Sequence, residues 1–137
     1  LNLFADSSAL AKRYIEDERS GALDELLSGA SSLTVSVLCL PEIISAMCRH
    51  RRERFLTVAQ YSMAKTSLES DISGMTVIQI TDEVLAGSVR LLETHTLRSS
   101  DAIHLASALV WGADSFVSAD ARQCVAARSA GLEVVRL

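Results

Sequence analysis

Aromatic side chains are scarce in this chain. Phe4, Phe55, Phe116, Tyr14, Tyr61 and Trp111 are all it has, scattered over 137 residues. That is too few and too dispersed for a platform on which nucleic-acid bases stack, so single-strand binders of that design are excluded. Proline occurs once, at Pro41, which rules out a proline-rich linker or tail. Positive charge is short as well. Thirteen Lys and Arg against seventeen Asp and Glu leave a formal net charge of −4, so the chain as a whole does not cling to a polyanion by bulk electrostatics. Such a partner must be held by a local basic patch or through a bound cation. The three cysteines, Cys39, Cys48 and Cys124, are odd in number and form no Cys-x-x-Cys pair. Buried thiols in a reducing compartment are the expectation, not a zinc–thiolate site. No hydrophobic run approaches a membrane span. Leu1 to Ala11 has some character of a signal core, but Asp6 interrupts it, and neither a preceding positive region nor a cleavage site accompanies it. A cytoplasmic protein that engages no membrane is expected.

What is present is a core. The chain is 49% hydrophobic and 22% charged, the composition of a globular protein, and its length fits one domain over residues 1–137 that buries roughly two-thirds of its unfolded surface. Short β-rich stretches alternate with helical ones. Leu1 to Ala5 reads as a strand ending at Asp6, after which Ser7 or Ser8 can cap a helix reaching about Glu18. A helical piece over Ala22 to Leu27, a strand over Leu33 to Ser36 and a helix from about Val37 to Arg54 follow, the last with Ile43, Ala46, Met47 and His50 on one face. Leu56 to Ile72 gives another helix. Met75 to Ile80 is the most strand-like stretch, and a helix capped by Thr81 or Asp82 runs on to about His95. Ser99 and Ser100 open a helix that stops at Gly112. Ser115 to Ser118 is a strand running into Asp120, a small helix ends near Gly131, and Leu132 to Leu137 closes the chain as a strand. Alternation of this kind means an α/β fold, a central parallel sheet with helices on both faces.

Most of the acidic residues read as solvated helix faces, among them Glu16, Asp17 and Glu18, Asp24 and Glu25, and Glu69 and Asp71. Four stand elsewhere. Asp6 and Asp120 fall at the carboxyl ends of strands, the edge where open α/β sheets bind ligands. Asp101 is in the first turn of its helix, where the helix dipole favours a negative charge. Glu42 sits inside the apolar run Val37-Leu38-Cys39-Leu40-Pro41-Glu42-Ile43-Ile44, where a charge is costly unless paired. Each has a plainer reading: Asp6 and Asp120 as helix caps, Asp101 as a dipole-favoured residue. Taken together they suggest carboxylates converging on one sheet edge. Such a cluster repels itself unless a cation sits in it, and oxygen-only ligands suit Mg²⁺ or Mn²⁺.

Four stretches, in this order, carry a resemblance: Phe4-Ala5-Asp6-Ser7-Ser8-Ala9-Leu10-Ala11-Lys12, Leu40-Pro41-Glu42-Ile43, Leu97-Arg98-Ser99-Ser100-Asp101-Ala102-Ile103-His104-Leu105-Ala106, and Phe116-Val117-Ser118-Ala119-Asp120. Through them the chain resembles the PIN-domain ribonucleases, specifically the VapC-type toxins of bacterial toxin–antitoxin pairs. The resemblance implies a PIN-like fold and a divalent-metal site, with Mg²⁺ or Mn²⁺, that hydrolyses RNA. Carried over by position, Asp6 and Asp101 are the most direct ligands, and Glu42 and Asp120 complete the cluster directly or through water. It also implies an RNA substrate, a cognate antitoxin and a homodimer. The chain departs from the family pattern after Asp120, where Ala121-Arg122-Gln123-Cys124 stands in place of the bulky apolar residue that relatives often carry early in that helix.

Other residues have two readings. Ser7 and Ser118 lie near the acids and either hold a carboxylate or ligand, or serve as ordinary turn and cap residues. His104, one turn from Asp101, reads better as a satisfied, partly buried histidine than as a substrate contact. The run Arg49-His50-Arg51-Arg52-Glu53-Arg54 is either a phosphate grip or a solvated helix end. Leu56, Val58, Ala59, Met63 and Ala64 either pack among their own helices or form a face for an antitoxin helix or a second copy. A phosphatase of the haloacid-dehalogenase type would need an acid two residues after Asp6, where Ser8 stands. A catalytically silent PIN-like module that binds RNA or protein is the alternative to the ribonuclease, and the complete set of four acids argues against it.

Overall fold

The computed structural model describes residues 2–15, 20–28 and 32–137. Five parallel strands, β1 (Asn2–Ala5), β2 (Ser32–Ser36), β3 (Thr76–Ile78), β4 (Ser115–Ser118) and β5 (Glu133–Arg136), form one sheet in the order β3-β2-β1-β4-β5. Among the described residues, seven α-helices connect them: α1 (Ser7–Leu10), α2 (Ser20–Ser28), α3 (Cys39–Arg52), α4 (Val58–Ser73), α5 (Asp82–Thr94), α6 (Ser99–Trp111) and α7 (Ala121–Ser129). The α/β class with a helix-flanked parallel sheet is what the alternating pattern predicts.

The central strands are covered on both faces, so Thr34, Ser36, Ser115 and Ser118 are buried along with their apolar neighbours. Leu3, Ala5, Leu33, Val35 and Val117 point to one side, where Leu10, Leu23, Ile43, Met47 and Leu68 from α1 to α4 meet them. Phe4 and Phe116 point to the other, among Val84, Leu91, Leu105, Ala106, Ala126 and Ala127 from α5 to α7. Those two rings stack with centroids 5.9 Å apart and pin β1 to β4. Emptying either would cost about 3–5 kcal/mol.

Strand order fixes where a ligand belongs. The chain lays down β1, β2 and β3 in one direction, then returns to place β4 on the other side of β1. At such a reversal the neighbouring connections leave toward opposite faces and open a crevice outside the carboxyl ends of the strands. Asp6 follows β1 at that point, and Ser118 and Asp120 end β4.

Several local details differ from the sequence reading. The first helix is one α-turn followed by a 3-10 turn over Ala11–Arg13, and its expected end, with the face Glu16-Asp17-Glu18, lies outside the described residues. Tertiary ties outweigh the local helical pattern here: the Tyr14 hydroxyl donates to Asp71 at 2.6 Å, and Arg13 pairs with Asp24 and Asp71. The cap of α1 is Asp6, not Ser7 or Ser8. A reciprocal Thr57–Gln60 capping box starts α4 at Val58. The stretch that looks most strand-like yields only the short edge strand β3. As expected, Gly112 ends α6, and its φ of +83° is a left-handed conformation that glycine adopts without strain. Arg54, at φ +65°, turns the chain from α3 toward α4.

Candidate functional site

The four predicted carboxylates come together. Asp6 from the end of β1, Glu42 from the first turn of α3, Asp101 from the first turn of α6 and Asp120 after β4 line one cleft of about 90 Å³, along with Ser7, Ser8, Arg98 and His104. Larger hollows of about 650 and 560 Å³ lie by α4, but the convergent chemistry is in the small one. Both plain readings hold at the same time. Asp6 caps α1 by accepting from the Ala9 N–H, and Asp120 caps α7 by accepting from Arg122 and Gln123 N–H.

Asp6 and Glu42 form an inner pair, fixed by short bonds. Ser118 donates to Asp6 Oδ2 at 2.5 Å and Ser8 to Oδ1 at 2.7 Å. Each serine also accepts a backbone N–H from the segment after β4: Ser8 that of Ala119, Ser118 that of Asp120. The serines thus bridge the ends of β1 and β4 through the carboxylate. Burial pushes the Asp6 carboxyl above its ordinary pKa, and the bonds from Ser118, Ser8 and Ala9 offset only part of that. Glu42 is held differently. His104, 2% exposed, places Nε2 at 2.5 Å from Glu42 Oε1, and Ser7 donates to the same oxygen at 2.8 Å. An ionised carboxylate only accepts, so Nε2 carries the proton that points at Glu42. Burial raises the Glu42 pKa, but the hydrogen bond and charge of His104, with help from Ser7, outweigh it and the carboxyl ends below its ordinary value.

Asp101 and Asp120 form the other pair, the rim pair that Arg98 spans; their side chains are 17% and 32% exposed, no more than the 33% of Glu42. Arg98 Nε lies 3.1 Å from Asp101 Oδ2, and a second guanidinium nitrogen is 3.9 Å from Asp120 Oδ2. The backbone of Asp101 is anchored from beneath, because the fully buried Gln123 amide donates to its carbonyl at 3.0 Å. That bond accounts for the departure after Asp120: a polar side chain replaces an apolar one where α7 reaches α6.

An all-oxygen set of four acids is the donor chemistry of a hard divalent cation. Among the described residues no three acidic, imidazole or thiol groups stand close enough to hold one ion as placed. Arg98 lies between Asp101 and Asp120, 3.1 Å from the first and 3.9 Å from the second. The four acids fit the ion in donor chemistry, though not in their spacing as placed.

Sequence reasoning missed the roles of Ser8 and Arg98 and the partner of His104. Ser8 gives no signal beyond its place after Asp6. Arg98 looks like any surface arginine. His104 is buried as expected, but it reaches across to α3 rather than staying on the Asp101 face, and its Nδ1 has no partner. Ser7 and Ser118 both hold carboxylates. The basic run, by contrast, sits at the far end of α3, its helical part seven to ten residues from Glu42, a rise of roughly 10–15 Å along the helix; Arg51 lies over the Tyr61 ring. Cys39 and Cys124 are buried free thiols and Cys48 is half-buried, with burial raising the Cys39 pKa to about 12. Of the apolar residues around α4, Leu56 and Ala64 pack inward. Val58 and Met63 stand out at 68% and 73% exposure, beside Phe55 at 71%. Among the described residues no helix is long and apolar enough to cross a membrane.

The profile of the PIN-domain family matches residues 3–129. Ribonuclease VapC45 of Mycobacterium tuberculosis is 30% identical over 134 residues, which is 96% of this chain and 93% of that protein. Among solved structures, M. tuberculosis VapC20, described as a sarcin–ricin-loop-cleaving toxin, superposes with a TM-score of 0.73 at 20% identity, covering 98% of this chain and 99% of the other. A toxin–antitoxin complex from Klebsiella pneumoniae gives a TM-score of 0.69 at 18% identity, covering 98% and 96%. At those two identities the likeness is one of fold.

Proposed function

The chain belongs to the PIN-domain family, and from that premise we propose that it is an endoribonuclease that hydrolyses RNA phosphodiester bonds with Mg²⁺ or Mn²⁺ held by Asp6, Glu42, Asp101 and Asp120. The observation that carries the reading is the meeting of these four carboxylates, from two strand ends and two helix starts, in a single cleft at the strand-order reversal. When bound, the ion lowers the pKa of water and stabilises charge on the scissile phosphate. The protein's own part is geometric and electrostatic. Ser8 and Ser118 hold Asp6 in one orientation, so no reorganisation is needed when a cation or phosphate arrives. Glu42, kept ionised by His104 and Ser7, is ready to accept a proton or a cation at neutral pH. Asp101 and Asp120 close the rim. The silent-module alternative leaves this support of Asp6 and Glu42 without a purpose.

The proposal extends to biology: a toxin restrained by a cognate antitoxin, in keeping with the toxin–antitoxin complex whose fold it shares, and, as the sequence reading has it, cytoplasmic, one domain over residues 1–137 and a homodimer. The exposed Phe55, Val58 and Met63 offer apolar surface for such a partner. The test is cleavage of a labelled single-stranded RNA pool in Mg²⁺, Mn²⁺ or EDTA by the wild type and by Asp6→Asn. Cutting that needs the ion and disappears in Asp6→Asn is the expected result. Cutting that survives both EDTA and the substitution overturns the mechanism.

A further inference from the structure

Four acids in a chain of net charge −4 pose a problem for an RNA substrate, which brings a negative charge with every nucleotide. A divalent ion answers for the scissile phosphate, but the phosphates beside it also need a cation. The dense basic run lies at the other end of α3, a helical rise of roughly 10–15 Å from Glu42. Among the described residues lining the cleft, Arg98 is the one permanently charged cation. It occupies the residue before α6 without capping that helix, and its side chain is 74% exposed. It engages Asp101 well, through Nε at 3.1 Å, and Asp120 only weakly, at 3.9 Å. An exposed pair of this kind is cheap to open in water. The planar fork that fits a carboxylate fits a phosphate equally well.

We propose that Arg98 is a two-position cation, lying across Asp101 and Asp120 when the cleft holds no divalent ion and gripping a phosphate of the RNA beside the scissile bond when it does. The inference rests on the ribonuclease reading above. Its signature is a pair of opposite effects. Docked Arg98 competes with a divalent ion for the two rim carboxylates, so removing it strengthens metal binding. Freed Arg98 is a substrate contact, so removing it weakens RNA binding. An arginine that merely held the rim together would lower both when lost.

The experiment compares the full-length wild type with Arg98→Gln and Arg98→Lys. Mn²⁺ affinity is read without RNA by electron paramagnetic resonance, and affinity for a labelled single-stranded RNA pool is read by fluorescence anisotropy across a salt series. Arg98→Gln should bind Mn²⁺ about two- to fivefold more tightly, the scale of one exposed ion pair. The same variant should bind RNA about tenfold more weakly, with the salt slope reduced by about 0.7, the loss of one phosphate contact on a single strand. Arg98→Lys, which keeps the charge and loses the fork, should restore the slope and only part of the affinity. Mn²⁺ affinity that is unchanged or weaker in Arg98→Gln, or RNA affinity that is unchanged, overturns the proposal. The parent reading fails separately: a wild type that neither binds Mn²⁺ nor cuts RNA overturns the metal-dependent ribonuclease itself.

Discussion

The two halves of the acidic cleft are built on different principles. Asp6 and Glu42 are gripped by short-range donors that are themselves fixed: Ser8 and Ser118 by backbone N–H groups, and His104 by near-complete burial. Asp101 and Asp120 share one exposed arginine, although Asp120 also accepts the Arg122 and Gln123 N–H groups. Fixed dipoles cost no reorganisation when a charge arrives, whereas a flexible cation must move. The inner half is therefore preorganised for whatever the cleft holds, and the rim half is exchangeable. That contrast ranks the side chains by consequence.

The largest effect belongs to Asp6. Asp6→Asn keeps the shape and both serine partners but removes the charge that the serine bridges aim. Loss of RNA cleavage should exceed the roughly 10- to 100-fold that follows when a ligand loses only its supporting partner. Asp120→Asn, on the rim, should cost less. Equal losses at the two positions, measured as kcat/KM, would erase the distinction between the halves.

His104 comes next. His104→Leu leaves Glu42 with Ser7 but without its principal counter-group, and Mn²⁺ affinity should fall about 10- to 100-fold. His104→Gln, which can still donate near the position of Nε2, should recover part of it. Nitrogen-15 shifts of the imidazole should show the proton on Nε2 in the metal-free protein, a readout that packing alone does not set.

Thermal melts in EDTA separate the inner pair further, because the two acids are shifted in opposite directions. The folded-state pKa of Asp6 is raised, so its contribution is fully present below the unfolded value of about 3.9 and is lost as pH rises through the folded value. At neutral pH the buried Asp6 carboxyl is therefore a burden on the metal-free fold, and Asp6→Asn should melt at the same temperature as the wild type or higher. The Glu42 pKa is lowered, so its contribution is present above the unfolded value and disappears as pH falls through the folded one. Glu42→Gln should therefore lower Tm near neutral pH and converge on the wild type in acid.

Much of this was legible in the sequence, for physical reasons that also mark the limit. Asp6 and Asp120 stood out because strand ends and cap positions are local features, and both turned out to be caps and cleft residues together. Glu42 stood out because an unpaired charge among aliphatics is expensive, and the structure supplies the partner that the argument demanded. The identity of that partner was not legible: His104 is 62 residues away, and nothing local distinguishes a histidine that packs from one that reaches another helix. Arg98 was invisible for the opposite reason, since an exposed arginine carries no pattern until its neighbours are placed. The first helix gives way to a 3-10 turn at Ala11–Arg13, a change that periodicity does not reveal because it cannot see Tyr14 tied to Asp71 across the fold.

Gln123 supplies the smallest effect and the finest test of the contrast. It is the rigid support beneath Asp101, a fully buried amide whose nitrogen donates to the Asp101 carbonyl and whose oxygen has no partner. Gln123→Met removes the hydrogen bond and the unsatisfied oxygen together. The first loss and the second gain are each on the order of 1 kcal/mol, so they nearly cancel, and the longer apolar side chain suits the surrounding core. Tm should stay within a few degrees of the wild type and Mn²⁺ affinity within a few-fold, because the Asp101 side chain answers to Arg98 rather than to the backbone beneath it. A collapse of Mn²⁺ affinity in Gln123→Met with Tm preserved would mean that the rim is positioned through its backbone as firmly as the inner pair is through its serines, and the cleft would then be rigid throughout.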